Sequence, residues 1–208
     1  MLVTQGLPPP QPAFEIRLAS RGISQGIAQT SGPQVVSRLF VRIGGAQIGG
    51  QWKNISSDTA SGVAATFLRF TRQLHMYQFD ARAAYRVRTA AKGPSDADAW
   101  EFAVGMTRDL GKFGLRARAE YSPDDFGRGE SLFVELGSTL DIGNRTMLSV
   151  NVGQRERDGS PDYTAFNVGF EKVIHRGLSI DARYYDINRS DLGDPYRGRI
   201  VVSAQWAL

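Results

Sequence analysis

The chain has 208 residues, with 25 Lys and Arg against 21 Asp and Glu, a formal charge of +4 and no cysteine. No disulfide, thiolate nucleophile or cysteine-held metal is possible, and the scattered cations give no concentrated basic patch for nucleic acid. No apolar run approaches the roughly 18 residues of a membrane-crossing helix. The mean hydropathy of −0.29 suits a membrane β-barrel, whose strands turn half their residues to a polar lumen, as well as it suits a soluble protein.

Residues 1–12 read as a flexible proline-rich segment, because Pro8, Pro9, Pro10 and Pro12 cannot donate to a ladder. Met1 to Gly6 carries no apolar leader, so the expectation is a mature chain from which a signal peptide has been removed. From residue 13 to residue 208 the pattern predicts one outer-membrane barrel. About twelve strands are expected, over 13–21, 34–43, 46–55, 62–72, 75–88, 98–108, 112–121, 130–140, 145–155, 163–173, 177–186 and 197–208. Each is near the roughly 9–11 residues that a tilted membrane strand needs. Tight turns at Gly44-Gly45, Arg72 to His75, Asp109 to Gly111, Asp141 to Asn144 and Ile174 to Gly177 alternate with longer polar loops. That alternation predicts an all-β, up-and-down antiparallel transmembrane barrel, with short periplasmic turns and longer extracellular loops.

Strand side chains alternate between two faces. One face is apolar throughout, as in Ile200, Val202, Ala204, Trp206 and Leu208 of the last strand. The other carries the charges. Arg17, Arg38, Arg42, Arg69, Arg82, Arg116, Arg118 and Arg183 are the expected basic pore lining, and Glu15, Asp80, Glu101, Glu120, Glu135, Glu171 and Asp181 the acidic lining. Lys53, Arg86 and Arg155 share that face. An Arg turned to lipid near the midplane costs about 2–4 kcal/mol, so in a membrane these charges must point inward. A soluble barrel or sandwich with the apolar face inside satisfies the same alternation. Aromatic placement favours the membrane. Trp52, Tyr85, Trp100, Tyr121 and Tyr184 sit near the long-loop ends, and Phe70, Tyr77, Phe113, Phe170 and Trp206 near the tight-turn ends, as two interfacial girdles would.

Arg21-Gly22-Ile23-Ser24-Gln25, at the first long loop, resembles the signature near the start of the TorF-type porin family of proteobacteria. Tyr121-Ser122-Pro123-Asp124, where a strand enters a long loop, is similar to a second feature of that family. The resemblance implies an outer-membrane β-barrel of porin type. It brings no solute and no catalytic set.

Twelve strands fall between barrels filled by side chains and those holding a wide aqueous channel. The expected function is therefore a narrow passive channel for small solutes, anionic by the excess of Arg. One alternative is a barrel closed by Arg–carboxylate pairs, serving as a structural anchor or as a subunit of an outer-membrane complex, its protein partner unidentified. The remote alternative is a lipid-modifying enzyme. For that, His75 and His175 are the only imidazoles, both map to tight turns, and neither has an evident serine partner, so no catalytic residues are assigned. No cofactor and no metal are expected. Lipid and lipopolysaccharide are the expected surroundings, and aspartates of the outer loops, among them Asp124, Asp125, Asp158 and Asp162, read as solvated turn residues.

Overall fold

The computed structural model describes residues 8–57, 60–91 and 96–208. Twelve long strands close into one antiparallel barrel. In chain order the strands are β1 (Gln11–Ala19), β2 (Ile23–Ser24), β3 (Ile27–Ala28), β4 (Gln34–Ile43), β5 (Ala46–Ser57), β6 (Ala60–Leu74) and β7 (Tyr77–Thr89). They continue as β8 (Asp98–Leu110), β9 (Phe113–Ser122), β10 (Ser131–Gly143), β11 (Thr146–Arg157), β12 (Tyr163–His175), β13 (Leu178–Ile187) and β14 (Arg199–Ala207). All but β2 and β3 belong to the barrel, each strand pairs with its neighbours in sequence, and β14 closes onto β1. The short pair β2–β3 is a separate hairpin inside the first long loop. Several strands run longer than their alternation indicated, β6 to 15 residues, because the two-residue turns hold the ladder to its end. Two short 3₁₀ turns, Ser190–Leu192 and Asp194–Tyr196, occupy the last long loop.

Closure begins at a proline. Phe14 and Leu208 exchange both backbone hydrogen bonds, at 3.2 and 2.9 Å. Two residues earlier, the nitrogen of Pro12 faces the same side, where no residue of β14 stands opposite it. Its missing N–H therefore breaks no rung. Gln11 and Pro12 thus join the barrel, whereas residues 1–7 of the expected flexible segment lie outside the described residues.

The large apolar side chains of the barrel strands are mostly on the outside. Ile200 is 72% exposed, Leu39 64%, Ile48 60%, Val104 58% and Leu136 57%, all on the outer wall. A water-soluble barrel would bury that belt. Its exposure all round the wall makes this a transmembrane barrel and removes the soluble alternative, in which the apolar face turns inward.

Glycine on the inner face makes room for neighbours. Gly105 stands opposite Asp80, Gly137 opposite Asn151 and Gly169 opposite Arg183, and a Cβ at any of the three would run into that partner's side chain. Long polar side chains can therefore lie flat across the wall. At the tight-turn end, Gly177 has φ +77° and a Cβ there would strike the Ala207 carbonyl. Gly177→Ala is expected to destabilise the barrel by about 1–2 kcal/mol through the left-handed backbone alone, as read by urea unfolding in lipid vesicles.

Candidate functional site

The interior has a packed side and an open side. On the packed side, Phe40 of β4 and Phe67 of β6 point inward with ring centroids 6.4 Å apart, closed over by Ala84 and Ala13. Guanidinium groups cover these rings: Arg42 lies 4.9 Å from Phe40, while Arg82 and Arg38 lie 5.4 and 5.9 Å from Phe67. Carboxylates complete the layer. Glu15 pairs with Arg38 at 3.2 Å and Arg42 at 4.0 Å, Asp80 with Arg69 at 3.4 Å, and Glu101 with Arg82 at 2.8 Å.

The open side runs along β8 to β14. There Arg116 reaches Glu135 at 2.6 Å and Asn151 at 2.9 Å, and Arg118 reaches Glu120 at 2.6 Å. Arg183 binds Asn167, Ser149 and Asp181 at 2.6, 2.9 and 3.0 Å, and Arg17 binds Ser203 at 3.2 Å.

The first long loop folds into this space. Its backbone is tied at the base by Gly22 N–H donating to Thr30 Oγ1 at 2.8 Å and Gln29 N–H donating to the Gly22 carbonyl at 2.8 Å. Arg21 donates to the Ser31 carbonyl at 2.8 Å. Strands β2 and β3 then carry the tip, Gln25-Gly26, with φ +51° and +85°, across the barrel. Tyr163 donates its hydroxyl to the Gln25 carbonyl at 2.9 Å, and Gln25 Nε2 donates to Glu120 at 2.9 Å. Ile27 packs on the buried cluster of Tyr163, Ala165 and Ile187. A Cβ at Gly26 would come within 2.6 Å of Ala165 Cβ and 2.9 Å of Ile187 Cγ2, so glycine alone fits there.

The hairpin tip lies between two chambers. The inner one, toward the tight turns, holds about 560 Å³, and the outer one, toward the long loops, about 430 Å³. Ser24, Gln25 and Glu120 line both. The charges differ. Arg17, Arg116, Arg118 and Arg183 in the inner chamber are balanced by Glu120, Glu135, Glu171 and Asp181. The outer chamber has six cations, Lys53, Arg86, Arg88, Arg128, Arg155 and Arg157, against the three acids Glu101, Glu120 and Asp125.

Asp125 is not a solvated turn residue. The loop of residues 123–130 bends inward and places its carboxylate among Arg86 at 3.2 Å, Arg155 at 3.1 Å and Arg157 at 3.2 Å. Burial alone would raise its pKa, but those three guanidinium groups together hold the carboxyl below its ordinary range. The turn is set by Ser122 Oγ, which accepts from the Asp125 N–H at 3.0 Å and donates to the Trp100 carbonyl at 2.6 Å.

The fifteen charged residues expected along the pore all face inward, but in two groups. Arg17, Arg116, Arg118, Arg183, Glu101, Glu120, Glu135, Glu171 and Asp181 border a chamber. Arg38, Arg42, Arg69, Arg82, Glu15 and Asp80 border neither chamber and sit on the packed side. Sequence reasoning did not single out Arg88, Arg128 or Arg157, named Gln25 only within the Arg21-to-Gln25 segment, and read Asp125 as a solvated turn residue. Arg88 and Arg157 follow Arg86 and Arg155 in phase, so the period-2 signal reaches them; nothing local marks Gln25 or Asp125. Of the ten aromatics read as girdles, eight are at least 37% exposed on the outer wall. Tyr85 and Tyr77 are half-buried against neighbouring rings, Trp100 at 5.3 Å and Phe79 at 6.3 Å. His75 and His175 lie at the tight-turn end and line neither chamber. Among the described residues, no three acids or histidines gather into a set that could hold a metal ion.

The same barrel is found in solved structures. One of the KdgM porin superposes with a TM-score of 0.66 over 93% of this chain and 98% of that one, at 8% identity. The chain has the fold of the outer-membrane porins. The NanC porin gives a TM-score of 0.65 over 94% and 100% of the two chains at 11% identity. An outer-membrane channel from Pseudomonas putida F1 gives 0.56 over 97% and 96% at 11% identity. No family model and no curated protein sequence matches the chain.

Proposed function

We propose that this protein is a narrow passive channel of the bacterial outer membrane that passes small anionic solutes. One observation carries the reading: two polar chambers flank the hairpin tip inside the barrel, and the outer one has six cations against three acids. Fixed cations in a low-dielectric passage concentrate anions and speed their entry. The inner chamber, balanced in charge, then conducts without holding the solute. A KdgM porin has been solved in complex with disordered oligogalacturonate, a chain of carboxylate-bearing sugars, which supports an anionic solute class for a barrel of this shape. The two segments that resemble TorF-type porins support membership of that family. Arg21 to Gln25 leads into the hairpin tip, and Tyr121 to Asp124 forms the turn that brings Asp125 inward.

Single-channel recording in planar bilayers tests the reading. Under a KCl gradient the reversal potential is expected to favour chloride. Replacing Arg155 and Arg157 together by Gln removes two of the outer cations and is expected to move the reversal potential toward zero. Absence of conductance steps at every salt concentration would overturn the channel; a cation-favouring reversal potential would overturn its anion preference alone.

A further inference from the structure

The loop carrying Asp125 is strained and anchored at once. Asp125 and Phe126 have φ +34° and +64°, a region that L-residues other than Asn, Asp and Gly seldom enter. Phe126 is 8% exposed, packed against Val63 and Ala99, with the guanidinium groups of Arg88 and Arg86 at 4.5 and 4.9 Å from its ring. Strained backbone of this kind persists only where surrounding contacts over-determine it, and it concentrates at ligand clamps and switch segments. Here the contacts are three guanidinium groups from β7 and β11 closing on one carboxylate. Arg86 also pairs with Glu101 at 2.9 Å, Arg155 donates to Ser131 and Arg157 to Ser160, while the Nε atoms of Arg86 and Arg157 have no acceptor among the described residues. Guanidinium forks suit planar or tetrahedral oxyanions.

We propose that Arg86, Arg155 and Arg157 form an oxyanion-binding site in the outer chamber and that Asp125 is its internal occupant. An entering carboxylate, sulfate or phosphate group exchanges with Asp125 and releases the loop of residues 123–130 from the chamber. The idea rests on the channel reading for its role in transport, since the site lies in the outer chamber. Its binding tests need no conduction, so the two can fail separately.

Sulfate, doubly charged at neutral pH, is the probe. Equilibrium dialysis of radiolabelled sulfate against the full chain in detergent micelles, at constant ionic strength set with chloride, is expected to show weak binding. Asp125→Asn removes the competing carboxylate, and sulfate is expected to bind about tenfold more tightly, as removal of an occupant from most of the population requires. Adding Arg155→Gln to that variant is expected to reverse the gain. Equal sulfate affinity for the parent chain and Asp125→Asn, with both showing the heat-modifiable gel mobility of a folded barrel, would overturn the proposal and leave Asp125 as a loop anchor. The unaltered chain gives a second readout that does not depend on the variant folding. Trypsin cleavage after Arg128, which is already exposed, is expected to quicken several-fold as sulfate is raised at constant ionic strength, because a loop freed from Asp125's anchors can take the extended backbone that a protease requires. Cleavage indifferent to saturating sulfate would count equally against the exchange.

Discussion

Replacing residues 22–33 by a short polar turn is expected to raise single-channel conductance several-fold and to weaken anion preference. The hairpin tip is the only segment of the first loop that lines both chambers, through Ser24 and Gln25. Without it, volumes of about 560 and 430 Å³ become one passage, walled by β8 to β14 on the inner side of the tip and by β5 to β11 on the outer side. Selectivity falls because fixed charges act most strongly on ions forced close to them. The barrel itself should survive, since β1 and β4 pair directly along nine register positions and owe nothing to β2 or β3. A gentler variant separates occlusion from loss of chain. At Gly26 a valine side chain would collide with Ala165 and Ile187, which drives the tip out of its seat. Gly26→Val is therefore expected to give an intermediate conductance, with noisier open states as the detached hairpin moves. Conductance unchanged in both variants would mean that ions bypass the hairpin, and the two-chamber path would have to be abandoned.

The alternation of side chains made the wall of this protein legible and left its interior largely hidden. Period 2 places Leu136 outside and Glu135 inside, and it does so along every barrel strand; tight and long connections then set which end is which. Parity says nothing about which inward side chains touch across the lumen. Arg38 and Arg183 carry the same signal, yet Arg38 lies beside Phe67 on the packed side while Arg183 borders the inner chamber. The difference comes from inward-facing aromatics, Phe40 and Phe67, which an alternating pattern counts as exceptions. The loops were less legible still. Gln25 meets Glu120 and Tyr163 at sequence separations of 95 and 138, and Asp125 meets Arg86 at 39. Contacts of that range exist only once the barrel has closed, so local composition reads Asp125 as solvated and leaves the place of residues 22–33 open.

The strongest test of the wall compares adjacent residues of β10. Leu136 is 57% exposed on the outer surface, flanked in register by Ala117 and Val152. Glu135, one residue earlier, points inward and accepts from Arg116 at 2.6 Å. Leu136→Arg is expected to destabilise the barrel by about 2–4 kcal/mol in vesicles, the depth-dependent penalty for an arginine facing lipid near the midplane. That is a large share of the roughly 5–15 kcal/mol by which folded domains are stable. Glu135→Gln should cost far less, since Arg116 keeps Asn151 at 2.9 Å and the inner chamber is open to water. Urea titrations of both variants in the same lipid, followed by tryptophan fluorescence, give the comparison. Were water outside, an exposed Leu→Arg change would fall within about 0.5 kcal/mol of neutral, and the buried acid would become the costlier loss. The order of the two penalties therefore reports which face of the sheet meets hydrocarbon, independently of whether the channel conducts.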